Sequence, residues 1–353
     1  MIDLLVAGGG PAGLATAVHA ALAGMGVVVV EPRAGPVDKA CGEGLMPSGV
    51  AALAALDVRP DGRPLRGVDY LDGRHHARAT FRPDAGPGLG ARRTVLHAAL
   101  ARRAADLGVT TVNGRIATHR QNGEEVSVRL ARTSPRGPEP SRELRARWLV
   151  AADGLHSPLR DALGLGLPPA AGRRYGLRRH YRRTPWTDFV EVYWSDRGEA
   201  YVTPVGDDLV GVAVLSARRC GYEEHLSAFP ALRARLGDAQ AATPVRGAGP
   251  MRQRVSARVA GRVLLVGDAA GYTDALTGEG ISLAVLSAGA LVACLTAGRP
   301  AAYEQAWLRL SRAHRLLTGA LLRAARHPAA ARLVVPAAHH LPALFTGTVR
   351  ALS

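Results

Sequence analysis

The chain opens on a strand that runs directly into a glycine turn. Ile2–Ala7 is a short apolar run of the kind that forms a buried parallel strand. It leads into Gly8-x-Gly10-Pro11-Ala12-Gly13. Leu14, Ala15, Val18, Ala21 and Leu22 then recur at helical spacing to about Ala23, where Gly24 and Gly26 break the helix. Val27–Val30 reads as a second strand with Glu31 at its end. The result is a βαβ unit of about thirty residues with an acid roughly twenty residues past the glycines. Gly8 permits the tight turn, Gly10 lets a pyrophosphate reach bare backbone, and Gly13 lets helix and strand pack closely. The helix N-terminus adds free N–H groups and a positive dipole end. Glu31 is placed to accept hydrogen bonds from an adenosine ribose, its charge repels a 2′-phosphate, and Arg33 is a further candidate contact. A lone GxGxxG says little in a chain with 41 glycines; here strand, helix, second strand and acid all stand in place.

Two later segments have the same strand-then-turn form. Leu144–Ala151 reads as a strand, followed by Ala152-Asp153-Gly154-Leu155-His156-Ser157-Pro158, with Ser157 as helix N-cap and Pro158 at the first helical position. About 115 residues on, Val263–Val266 leads into Gly267-Asp268-Ala-Ala-Gly271 and then Gly278-Glu279-Gly280. The apolar stretch 281–298 that follows is about the length of a membrane span. It carries Ser282, Ser287, Gly289 and Thr296, and reads as a buried core helix.

Between the motifs, Thr94 is placed to cap a helix from Val95 to Leu107 ended by Gly108. A strand is expected at Val109–Val112, a hairpin around Asn122-Gly123, and a Pro-rich loop over 131–141. From Tyr175 to Val214 the pattern becomes strand alternation with turns at Asp196-Arg197-Gly198 and Gly206-Asp207-Asp208, which predicts an antiparallel sheet. From Ala301 onward the chain reads as amphipathic helix. The expected organisation is α/β: a discontinuous Rossmann-like dinucleotide domain (1–65, 90–165 and 250–300), an interleaved antiparallel-sheet substrate domain (66–89 and 166–249), and C-terminal helices (301–353).

The net charge of +16 suggests nucleic acid, yet 44 of the 45 basic residues are arginine and Lys39 is the one lysine. The arginines are spread along the chain, aromatics are only 5%, and no nucleic-acid module is readable, so nucleic-acid binding is not expected. An acidic carrier protein or a membrane surface stays open as a partner. Cys41, Cys220 and Cys294 are far apart and show no metal-ligand spacing, so neither a metal site nor a disulfide framework is expected. With no signal peptide visible ahead of the first strand, the expected location is the cytoplasm.

The three glycine–acid segments, in this order, resemble the single-component FAD oxidoreductases of the p-hydroxybenzoate hydroxylase and geranylgeranyl reductase superfamily. The resemblance runs from residue 2 to about 300, and the motif order points to FAD, bound non-covalently, of glutathione-reductase-type fold. It implies that Asp268 bonds the ribityl chain and that Asp153 belongs to a segment contacting both FAD and NAD(P)H, the latter a transient reductant. It also implies that Arg93, in Arg-x-x-Leu-x-x-x-Leu, reaches the FAD phosphates, with Arg92 as substitute. Lys39-Ala40-Cys41-Gly42-Glu43-Gly44 resembles the Cys-Gly loop of geranylgeranyl reductases, which places Cys41 and Gly42 near the flavin. The turn Gly278-Glu279-Gly280 would aim helix N–H groups at the flavin pyrimidine, where negative charge gathers on reduction.

Three functions follow from the resemblance: an FAD-dependent monooxygenase hydroxylating an aromatic, hydrophobic or polyketide-like molecule; a flavin-dependent reductase of an isoprenoid or other alkene; and a flavin-bearing assembly partner. The closing Gly271 and Gly-Glu-Gly speak for the reductase branch. The stretch Glu199–Asp207 lacks the Tyr-x-Trp-x-Phe-Pro signature of geranylgeranyl reductases and keeps a strand, Pro204 and a Gly-Asp turn, which speaks for hydroxylation, the favoured reading. His180, Tyr193, Trp194 and Tyr201 are candidates to line a substrate site. Cys41 and Tyr201 are the candidate catalytic side chains, and no general base is assigned.

Overall fold

The computed structural model describes residues 1–351 apart from 132, 135–136, 139–141, 169–171, 277 and 327. Most of the expected 131–141 loop therefore lies outside the described residues. The chain begins β1 (Ile2–Ala7), α1 (Pro11–Leu22), β2 (Val27–Glu31), as the glycine pattern requires. It leaves for a second sheet as β3 (Gly67–Leu71) and β4 (His76–Thr80), then returns through α2 (Arg93–Asp106) to β5 (Thr110–Asn113). A hairpin, β6 (Arg115–Gln121) and β7 (Val126–Ala131), turns at Asn122, whose side chain accepts the N–H groups of Glu124 and Glu125. The long β8 (Arg142–Ala151) runs into the short helix α3 (Pro158–Ala162), where Ser157 Oγ accepts the Arg160 N–H at 3.0 Å as a cap.

The second excursion comprises β9 (Tyr175–Arg182), β10 (Phe189–Ser195), β11 (Gly198–Gly206), β12 (Leu209–Ser216) and β13 (Arg246–Ala248). The chain comes back as β14 (Val259–Ala260) and β15 (Val263–Leu265) and enters α4 (Gly280–Thr296). It ends in α5 (Ala302–Leu310), α6 (Arg312–Arg326), α7 (Val334–His340) and α8 (Pro342–Arg350).

The first sheet has eight strands. Its path runs β14-β15-β8-β1-β2-β5, with β7 pairing β8 and β6 pairing β7. The central pairs are parallel, and the register sets Ala7 beside Val30 and Ala151, and Ala151 beside Leu265. Such strands are buried on both faces and read as continuous apolar runs; Leu4, Leu5, Val6, Leu149, Val150, Leu264 and Leu265 belong to one core with α1 and α4. α1 and α4 approach closely: a Cβ on Gly289 would come within 2.9 Å of the His19 ring. No described helix is long and apolar enough to cross a membrane.

The second sheet has seven strands in the order β13-β9-β12-β11-β10-β3-β4, antiparallel except where β10 meets β3. One face carries Tyr193, Val202 and Val212, which form a core of their own with Leu232 of the helix Pro230–Leu236. The other, with Val192, Tyr201 and Leu215, meets Leu322 of α6 and Val335 of α7. The C-terminal helices thus cover the second sheet.

Candidate functional site

Parallel register brings the three motifs together. β1, β8 and β15 end side by side, so the turns at 8–13, 152–157 and 267–271 leave the sheet at one edge. Hydrogen bonds fix the exits: Gly8 N–H to Val30 O (2.8 Å), Ala152 N–H to Ala7 O (2.9 Å) and Val266 N–H to Ala151 O (3.0 Å). Crevices beyond the carboxyl ends of parallel strands are where α/β sheets bind ligands.

The glycines divide by role. Gly8 sits at φ +109, and a Cβ there would lie 2.5 Å from Ala152 O. A Cβ on Gly13 would lie 1.9 Å from Gly8 O, and one on Gly267 (φ +61) 2.7 Å from the Ala12 methyl. These three keep the turns packed. Gly10 is different: the nearest atom to a Cβ there is the Arg93 guanidinium, 4.0 Å away. Gly10 presents bare backbone to open space, as a cradle for a diphosphate requires.

Charged groups ring that space. Arg93 opens α2 and lines the cavity, and its buried Nε has no hydrogen-bond partner among the described residues. Asp153 spends Oδ2 on the Leu159 N–H (3.1 Å), while its buried Oδ1 has no partner among the described residues. Burial pushes the Asp153 carboxyl up. Asp268 is likewise raised by burial, with Arg93 and Lys39 pulling the other way. Gly154, Gly267, Gly278 and Gly280 line the same space, the last at the N-terminus of α4.

Glu31 and Arg33 sit at the far edge, outside the cavity lining. Glu31 accepts the Gly9 N–H at 2.7 Å and pairs with Arg33 at 2.7 Å. Burial raises its carboxyl, and the Arg33 and Gly9 contacts outweigh that and hold it below the usual range. Two residues not picked out as cofactor contacts in the sequence belong here. Lys39 lines the cavity, its amine lowered by burial and by Arg33 and Arg93. Being the single lysine among 44 arginines was a usable signal. Glu43, at φ +59 in the Cys41–Gly44 loop, accepts the Arg93 N–H at 2.8 Å.

From these groups a cavity of about 670 Å³ extends to the second sheet and the C-terminal helices. Cys41 and Gly42 line its near part, and Cys41 Sγ accepts the Glu43 N–H at 3.4 Å. The far part is apolar, with Val192, Leu215, Leu321, Val334, Phe345 and Val349 among its walls. Of the four aromatic and histidine candidates on the second sheet, only Tyr201 reaches it. Tyr201 donates to Leu276 O at 2.9 Å, and Thr203 beside it donates to Gly42 O at 2.7 Å. The other three are corrected. Tyr193 points to the opposite face and donates to Glu191. Trp194 packs with tilted rings against the cavity-lining Tyr70, centroids 5.5 Å apart, and does not itself line the cavity. His180 is fully buried against Glu43.

The pieces fit one cofactor, a dinucleotide: a glycine cradle, an arginine beside it whose buried Nε has no partner among the described residues, and buried acids facing a cavity of about 670 Å³. A family profile described as an FAD binding domain matches residues 1–302. The chain belongs to this FAD-binding family. It is an FAD-dependent oxidoreductase with the Rossmann-like fold of that family. The flavoprotein is 31% identical over 312 residues to a menaquinone reductase of Mycobacterium tuberculosis, covering 79% of this chain and 72% of the relative. It is 29% identical over 363 residues to protoasukamycin 4-monooxygenase of Streptomyces nodosus subsp. asukaensis, covering 88% and 84%. In fold it superposes on the flavin-dependent brominase Bmp2 with a TM-score of 0.82 at 18% identity, over 99% of this chain and 93% of that one.

Proposed function

We propose that the flavoprotein is a monooxygenase that hydroxylates an aromatic, hydrophobic, polyketide-like small molecule. NAD(P)H supplies two electrons, one atom of O2 enters the substrate, and the other leaves as water. Bound FAD supplies the electron transfer and the oxygen activation. The chain holds it: Gly10, Pro11, Ala12, the α1 N-terminus and Arg93 take the diphosphate, Glu31 the adenosine ribose, Asp268 the ribityl hydroxyls, with Asp153, Gly154 and Lys39 alongside. The N–H groups at Gly278 and Gly280 would stabilise the negative charge that reduction places on the bound flavin. The second sheet, from residues 66–89 and 166–249, and the helices of 301–353 enclose the substrate.

The observation that carries the reading is the wall chemistry of the far cavity. Its side chains are mostly apolar, and the Tyr201 and Thr203 hydroxyl protons are both committed to backbone carbonyls. Such a pocket selects a lipophilic molecule and keeps water from the reacting atoms, as oxygen transfer needs. The alignment with protoasukamycin 4-monooxygenase over most of both chains supports it. Incubating the FAD-loaded protein with NAD(P)H, isotopically heavy O2 and a series of alkyl phenols tests it. Label in the product is expected; NAD(P)H oxidation without labelled product excludes hydroxylation of those substrates.

A second reading, hydride reduction of an alkene or quinone in a lipophilic substrate, is favoured by one residue. Cys41 places a thiol in the cavity lining, where it would protonate the carbon opposite the one that receives hydride. The similarity to a menaquinone reductase supports this alternative. Loss of reduction in a Cys41→Ala variant that retains FAD is its test.

A further inference from the structure

The last acidic residue of the chain is Glu304; residues 305–353 carry seven arginines (309, 312, 315, 323, 326, 332 and 350) and no Asp or Glu. The same segment holds four of the most exposed leucines: Leu316 (65%), Leu333 (62%), Leu341 (53%) and Leu344 (66%). Leu341 and Leu344 also line the cavity, and Leu316 and Leu333 each precede a lining residue, Leu317 and Val334. At Leu341 and Leu344 the apolar exterior of these helices is therefore continuous with the apolar interior. On α6, Leu316 shares a helical stripe with Arg312 and Arg323, four residues before and seven after it, and both arginines are exposed. The whole segment lies outside the span matched by the FAD-binding family, residues 1–302.

Leucines set among arginines, with no acid, match an anionic lipid interface: the leucines leave water for the acyl boundary and the guanidiniums meet lipid phosphates. An acidic protein would satisfy the charge alone. A bilayer also covers leucines at the mouth of a lipophilic cavity. We infer that α6, α7 and α8 form a docking surface for an anionic membrane, with Leu341 and Leu344 at the lip between bilayer and cavity. The passage of substrate through that lip rests on the apolar-substrate reading; the docking does not, and its test involves no turnover.

The test is co-sedimentation of the FAD-loaded full chain with vesicles of mixed phosphatidylglycerol and phosphatidylcholine, against phosphatidylcholine alone. Binding to the anionic vesicles only, weakened by high salt, is expected. The double variants Leu316→Ser/Leu333→Ser and Arg312→Gln/Arg323→Gln, none of whose positions lines the cavity, should each bind at least about tenfold more weakly while keeping the flavin spectrum and melting temperature of the parent. Equal binding to both vesicles, no binding to either, or unchanged binding by the variants overturns the inference. So does sedimentation velocity showing a dimer that the leucine variant dissociates, which would give this face to a second copy of the chain.

Discussion

The His180 Nε2 lies 2.6 Å from Glu43 Oε2, with both side chains buried. Glu43 belongs to the cavity loop and His180 to β9 of the second sheet. The other oxygen of the same carboxylate takes the Arg93 N–H at 2.8 Å, at the first residue of α2. One side chain therefore ties together the loop carrying Cys41, the substrate-side sheet and the helix whose arginine faces the glycine cradle.

Removing one partner of such a buried pair leaves the other without its compensation. His180→Ala should destabilise the protein by roughly 3 kcal/mol and loosen FAD binding. Urea unfolding and flavin titration measure the two effects. Glu43→Gln, which keeps the shape and a hydrogen-bonding oxygen, should cost less than His180→Ala.

The glycines should separate by experiment. Gly13→Ala puts a methyl into Gly8 O and should impair folding itself. Gly10→Ala meets nothing nearer than 4.0 Å in the protein, so it should fold with normal stability as apoprotein and lose FAD affinity. Apoprotein melting curves beside flavin titrations show whether the two differ in this way.

Asp268→Ala should give a folded protein that purifies largely without FAD. The absorbance ratio of flavin to protein checks it. A fully yellow variant would show that the closing motif does not hold the cofactor.

Glu199 gives a pH signature. It is buried beside Arg174 and the second carboxylate Asp274, and burial, with Asp274 adding to it, outweighs Arg174 and raises its pKa to about 7. A carboxyl raised in the folded state binds protons more tightly than when unfolded, so its contribution to stability is fully present below the ordinary value of 4.5 and is lost as pH rises to about 7. Glu199→Gln removes that titration. Its stability, measured by urea unfolding from pH 4.5 to 8, should fall less steeply with pH than that of the parent across this window.

The parts of the fold written in local chemistry were legible. The glycine turn, the Ser157 cap and the Asn122-Gly123 hairpin each act within a few residues. The start of α2 was not. Thr94 looks like the cap, but the helix begins at Arg93 because the Glu43 carboxylate, fifty residues away, satisfies the first N–H. Strand alternation identified the second sheet but not which face meets the cavity, so Tyr201 lies inside while Tyr193 does not; His180 shares the face of Tyr201 and Thr203 but is covered by Glu43. The C-terminal helices read only as amphipathic; in three dimensions they wall the cavity, because their apolar stripe lands on the open face of the second sheet.

A monooxygenase function requires this cavity to direct oxygen onto a lipophilic aromatic substrate. The most direct test is rapid mixing of the anaerobically reduced, FAD-loaded protein with oxygenated buffer, with and without alkyl phenols. A transient flavin spectrum distinct from the oxidised and reduced forms is expected, decaying as hydroxylated product appears. Direct return to oxidised flavin under every condition, with no hydroxylated product, would contradict it and leave reduction of a lipophilic alkene or quinone as the function.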